Sequence, residues 1–256
     1  MHVLLVAEAD AVRAREQLRI YEEENRPRPT LPPLRLHEHA WRGSIVFALL
    51  LLAVAYCTGH TVGGIDWIAA GALTRDAVHG GEAWRVVTAL TLHADVEHLV
   101  GNLAFGMPYG FFASQLLGTA RAWASILLAA ALANTFESAL MDSSHVTIGS
   151  STAVFATLAL VAAYSARVVA PGVAGWARRW SPWIAAVALL AMTGTGGEHT
   201  DVLAHLMGFA GGALLGIIQA YVPVRWLEAR TTQVACGVLA LATVIGAWVW
   251  AVGERL

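Results

Sequence analysis

The sequence predicts an all-α membrane protein: a bundle of six transmembrane helices followed by one extra C-terminal transmembrane helix. Composition is the first reason. Of 256 residues, 57% are hydrophobic and only 13% are charged, whereas soluble domains carry about 25% charged residues. Length is the second. Seven apolar runs each approach the roughly 20 residues that a helix needs to cross a bilayer. Arginine is the third. All 16 basic residues are Arg, and they crowd one set of connections while leaving the other nearly empty.

Residues 1–25 read as a short cytoplasmic βα appendage, with a strand from Val3 to Val6 and a charged helix from about Asp10 to Glu24 that Asp10 is placed to cap. One strand and one helix are too little to bury a core. Residues 26–40 are rich in Pro and Arg and read as an extended linker. The first forty residues are polar, so a cleavable leader is not expected. The apolar runs follow at about 43–58, 97–117, 122–141, 151–170, 180–196, 202–222 and 234–252. The fourth and fifth are the weakest, being short or interrupted by Arg167 and Pro182. Residues 59–95, between the first two runs, are too apolar for a free loop and too broken for a span. With Trp67, Trp84 and Arg85 they fit an insert lying in the membrane interface. Residues 41–222 thus form the six-helix core, and 223–256 the extra helix. Cys57 and Cys236 both fall in apolar runs, which predicts buried thiols and no disulfide.

The arginines set the expected orientation. Arg26, Arg28, Arg35 and Arg42 precede the first span, Arg121 lies between the second and third, and Arg167, Arg178 and Arg179 lie between the fourth and fifth. Arg225 and Arg230 lie between the sixth and seventh. The other side holds only Arg75, Arg85 and Arg255. The N-terminus is therefore expected in the cytoplasm and the C-terminus outside. Spans two, four and six then all run inward. The Ala-, Arg- and Trp-rich composition suggests a bacterial inner membrane. The net charge of −2 gives no footing to a nucleic-acid partner.

Each inward-running span carries its odd polar residues near its outer end: His98 and Asn102 in the second, Ser151 in the fourth, His205 in the sixth. All four are expected at one depth. Polar groups inside a membrane are costly and mark function by default. Ser151 follows Gly149 by two positions and opens a helix, where free N–H groups and the helix dipole favour an anion. His205 begins a stripe of small residues, Gly208, Gly212 and Gly216, that lets another helix come close. Ala153, Ala156, Ala159 and Ala163 offer a matching face on the fourth span, and Leu215 is expected to face lipid. The chemistry that follows is a Ser151–His205 dyad, with His205 as general base. His98, Asn102 and the Ser151 backbone N–H would hold the oxyanion. Phe155, one turn after Ser151, is placed to orient the imidazole. No carboxylate in the sixth span sits near His205 to complete a triad.

Taken together, Gly81-Glu82-Ala83-Trp84-Arg85, His93-x4-His98-Leu99-x2-Asn102, Gly149-x-Ser151 and Ala204-His205-x2-Gly208-x3-Gly212 resemble the rhomboid intramembrane serine proteases. The motifs stand in the family's order and on the family's helices, across residues 41–222. The seventh span resembles the extra C-terminal helix of the "six plus one" members. The resemblance implies hydrolysis of a peptide bond in or beside a substrate's transmembrane helix, with no cofactor and no metal. It implies Ser151 and His205 as the dyad, and His98 and Asn102 as part of the oxyanion site. It places Trp84 and Arg85 in the interfacial insert. Partners are then transmembrane protein substrates and the lipid bilayer. The chain departs from the family at Thr152, where a small residue is usual. A β-branched residue there is expected to stiffen the turn and crowd the oxyanion site.

Blander readings compete at each position. Ser151 alone reads better as a helix cap, and His205 alone as an interhelical hydrogen-bonder. Ser150 and Ser144 read as loop polar groups. His93, His145 and His199 read as solvated residues near the water entry. A metal site among them is disfavoured, because no His-Glu-x-x-His is present and the spacings are irregular. Glu137, in the outer half of the third span beside Asn134, is expected to tie that span to the insert. Two rival functions remain: a catalytically dead relative that binds transmembrane clients, and a solute channel. The apolar inner halves of the spans speak against the channel.

Overall fold

The computed structural model describes residues 5–25, 36–168, 176–194, 201–223, 226 and 229–255. Contacts divide the chain into Met1–Leu34 and Arg35–Leu256.

In the first unit, a 3-10 turn, Glu8–Asp10, leads into helix α1, Ala11–Glu24. No residue of α1 is buried. What supports it locally is a pair of ion contacts from Arg19, to Glu16 (2.7 Å) and Glu23 (2.8 Å), at helical spacing. Asp10 does not cap it. Its own backbone is already helical after the 3-10 turn, and its side chain makes no capping bond. Leu5 and Val6 have no regular structure, and the rest of the expected strand lies outside the described residues, as do residues 26–35 of the linker.

The second unit is a helical bundle. Its long helices are α2 (Trp41–Gly59), α6 (Val96–Leu117), α7 (Thr119–Leu140), α8 (Ser151–Val168), α9 (Trp176–Thr193), α10 (Val202–Tyr221) and α11 (Arg230–Gly253). Five of them, α2, α7, α8, α10 and α11, are long and apolar enough to cross a membrane. The expected second and fifth spans fall short by that measure. α6 carries Glu97, His98, Asn102 and Gln115, and α9 offers only the apolar stretch Trp180–Thr193. Those two helices wall the cleft described below.

α8 is the hub. From Thr152 to Leu160 every residue is buried, as expected of a helix that is apolar all round. It lies against α10 along the glycine stripe. A Cβ at Gly208 would run into the Thr152 carbonyl, one at Gly212 into the Ala156 carbonyl, and one at Gly216 would come within 2.6 Å of the Leu160 oxygen. The face that α8 presents to the stripe is therefore Thr152, Ala156, Leu160 and Ala163, one turn apart, and not the expected Ala153-Ala156-Ala159-Ala163. Ala153 instead joins the core with Leu117, Ile126 and Leu160. Leu215 packs against that same core, contrary to the lipid-facing expectation, while its neighbour Leu214 is exposed.

The insert folds into short helices α3 (Trp67–Gly71), α4 (Arg75–His79) and α5 (Arg85–Thr88). A two-residue strand β1, Leu73–Thr74, pairs antiparallel with β2, Val146–Thr147, just before α8. Trp84 and Arg85 are buried struts within it. The C-terminal carbonyls of a helix have no partner of their own. Here Arg85 takes those of Ala69 (2.9 Å) and Ala72 (2.6 Å), Trp84 Nε1 that of Ala70 (3.2 Å), and Thr88 that of Gly71 (2.7 Å). The insert docks on α11 through Trp67 against Trp248 and Trp84 against Trp250. Cys57 and Cys236 are free and half-buried.

Candidate active site

α6, α8 and α10 begin at the same end of the bundle. Asp95 caps α6, accepting from the His98 N–H (2.7 Å), and Asp201 caps α10, accepting from the Ala204 N–H (3.0 Å). At α8 it is the Ser150 carbonyl that starts the helix, by accepting from the Val154 N–H (3.0 Å). That frees Ser151 from capping duty. Its hydroxyl points instead at α10 and donates to His205 Nε2 at 2.8 Å.

His205 is held from two further directions. Its Nδ1–H donates to the Gly194 carbonyl at 2.9 Å, which leaves Nε2 as the acceptor facing Ser151. The ring of Phe155 lies against it, with centroids 4.4 Å apart. Gly194 follows the last residue of α9, where a carbonyl has no helical partner. A backbone oxygen thus fills the orienting role for which no carboxylate was found. Nothing in the sequence marks Gly194, since any residue supplies a carbonyl and the fold alone aims it.

His98 stacks over Gly149. A Cβ on that glycine would lie 2.7 Å from His98 Nε2, and its φ of +125° is itself a glycine conformation. The Gly149 N–H bonds the Ala89 carbonyl (2.9 Å), which anchors the loop to the insert. Asn102 is buried, and one amide hydrogen goes to the His98 carbonyl (3.0 Å). An amide has two donors. His98, Asn102, Ser151, Phe155, His205 and Asp201 all line one cleft of about 600 Å³, whose apolar walls come from α6, α8 and α9.

Three surrounding residues differ from expectation. Thr152 is turned away from the cleft, with its methyl against Gly208, so it does not crowd the space in front of Ser151. Glu137 ties α7 to the loop before α8, accepting from Thr147 Oγ1 (2.6 Å). It is Asn134 that ties α7 to the insert, through the Val86 carbonyl (2.9 Å). His93 is half-buried beside the Ser150 hydroxyl (3.4 Å) and the His98 ring. Burial, with the His98 ring beside it, pulls its pKa down to about 4, which keeps it neutral. His145 is exposed and bonded to Asp201 (2.6 Å). His199 lies outside the described residues.

A multi-helix membrane bundle with a serine and a histidine in contact at one end defines a narrow class of protein. The rhomboid domain model matches residues 80–222, and the chain belongs to the rhomboid family. It is 32% identical to a Toxoplasma gondii protein named "Rhomboid-like protease 3", over 57% of this chain and 55% of that one. It is 30% identical to the Arabidopsis thaliana "RHOMBOID-like protein 7", over 66% of this chain and 50% of that one, and 26% identical to "RHOMBOID-like protein 1" of the same plant. The chain spans about half the length of the first two of these relatives.

Proposed function

We propose that the protein is an intramembrane serine endopeptidase that cleaves transmembrane-helix substrates at the outer side of the membrane. The observation that carries this reading is the 2.8 Å contact between Ser151 Oγ and His205 Nε2 inside the cleft. Ser151 attacks the scissile carbonyl while His205 Nε2 takes its proton. The Gly194 carbonyl, bonded to Nδ1–H, steadies the imidazolium that forms. The developing oxyanion sits at the N-terminus of α8, in the cleft that His98 and Asn102 also line, and is held by the Ser151 N–H, the second hydrogen of the Asn102 amide and His98. His205 then passes the proton to the leaving amine, and the acyl-enzyme remains on Ser151. Water entering by the cleft hydrolyses it, with His205 as base again.

The competing reading is a catalytically dead family member that holds transmembrane clients. Both dyad residues are present and in contact, which favours the enzyme. The orientation that would put the cleft outside rests on the arginine distribution. The bacterial inner-membrane assignment rests on composition alone, and the relatives above come from eukaryotes. The deciding experiment is labelling of the purified chain by a fluorophosphonate probe, with Ser151→Ala beside it. Labelling of wild type alone is expected. No labelling of either, in a folded protein, would return the client-binding reading.

A further inference from the structure

Glu137 of α7, His145 and Thr147 of the connection to α8, and Asp201 at the start of α10 meet beside the cleft. Their contacts outnumber the hydrogens available to make them. The Thr147 hydroxyl oxygen lies 2.6 Å from Glu137 Oε1 and 2.8 Å from Asp201 Oδ2. It has one hydrogen, so it can donate to one of these carboxylates only. His145 Nε2 is bonded to the same Asp201 oxygen at 2.6 Å and lies 4.0 Å from Glu137 Oε1. Glu137 is completely buried, and its second oxygen has no hydrogen-bond partner among the described residues. Two carboxylates that share one hydroxyl and also approach each other, one of them fully buried, need a proton or a cation between them.

We propose that Glu137, His145 and Asp201 form a divalent-cation site suited to Zn2+. Each of the three offers one donor atom, an imidazole nitrogen or a carboxylate oxygen, and these atoms lie within 4.8 Å of one another. One imidazole nitrogen and two carboxylate oxygens make a donor set that zinc accepts, with water in the fourth position. Zinc bonds of about 2.0–2.1 Å in a tetrahedron set donors about 3.3 Å apart. The carboxylates close toward the ion, and His145 opens slightly from Asp201. The His145 side chain is 44% exposed, which gives the ion a way in. Bound there, the cation supplies the missing charge. It fastens the loop that leads into Ser151 to the start of the helix that carries His205. The site does not depend on peptidase activity, because its test reads binding.

The test titrates ZnCl2 into untagged, chelator-treated full-length protein by calorimetry, with thermal unfolding in parallel. The expected result is one Zn2+ per chain and a raised unfolding midpoint. His145→Ala, at an exposed position, should weaken binding at least tenfold. Glu137→Gln, which keeps the size and removes the charge, should abolish it. Absence of stoichiometric binding overturns the site and leaves a proton on Glu137 as the missing charge. Binding that survives His145→Ala unchanged overturns it equally, since the ion is then held elsewhere.

Discussion

A serine that opens a helix is ordinarily spoken for by the backbone, and here the neighbouring residue takes that duty. With Ser150 starting α8, the Ser151 hydroxyl is free to bond His205. If the two act as one unit, Ser151→Ala and His205→Ala should each abolish cleavage of a model transmembrane substrate, and the double variant should be no worse than either. Full cleavage by Ser151→Ala would end the assignment. Asn102→Ala should lower turnover by about 10²-fold if the amide meets developing charge. A rise in KM at unchanged turnover would make Asn102 a structural residue instead. Thr152 makes a different point. Its hydroxyl is buried and has no hydrogen-bond partner among the described residues, while its methyl packs on Gly208. Thr152→Val keeps the shape and removes the orphan, so stability should hold or rise, by about 1 kcal/mol at most. Activity should persist. A clear loss of stability would mean that the hydroxyl has a partner.

At the scale of elements, the decisive contact is α8 on α10. Ordinary helix pairs keep their axes about 8–10 Å apart, and a hydrogen bond between them needs heavy atoms within about 3.2 Å. Gly208, Gly212 and Gly216 let backbone meet backbone, and His205 lies one turn before that stripe. Gly208→Val must push α10 off the Thr152 carbonyl without touching either dyad side chain. A displacement of about 1 Å can cost 10²-fold in rate, so this variant should be nearly inactive yet still inserted. Leu214→Val, on an exposed position of the same helix, is the matched control and should be mild. Initial cleavage rates in the same detergent decide it. Equal, near-normal rates would show that the stripe does not set the dyad geometry. The same logic of backbone satisfaction runs through the insert. Trp84, Arg85 and Thr88 close the end of α3, and that folded unit in turn anchors Gly149 through Ala89.

For the whole molecule, direction across the membrane decides what the cleft meets. The bundle puts the starts of α6, α8 and α10 at one end, and the arginine distribution argues that this end faces outward. A reporter fused after Leu256 should then read as outside the cytoplasm, and one placed near Arg178 and Arg179 as cytoplasmic. The reverse pattern would turn the cleft toward the cytoplasm and change the class of substrate it meets.

The helical membrane architecture was legible in the sequence because burial in lipid demands long apolar runs, a signal that each segment carries by itself. The glycine stripe and the four polar residues at the starts of α6, α8 and α10 were legible for the same reason: each is an anomaly against an apolar background. The α6 and α9 helices were legible as helices but weak as spans, because polar residues on one and a short apolar stretch on the other dilute the average. What stayed hidden depends on which surfaces meet. The carbonyl of Gly194 behind His205, the exact face of α8 that receives the stripe and the turn of Thr152 away from the cleft have no residue-type signature. The same holds for the convergence of Glu137, His145, Thr147 and Asp201. Backbone oxygens are common to all residues, and a carboxylate's partners are chosen by packing between segments far apart in the chain. The sequence by itself determined the helices and the candidate groups. The tertiary structure decided which of those groups touch, because contact at 3 Å is a property of helix approach and not of composition.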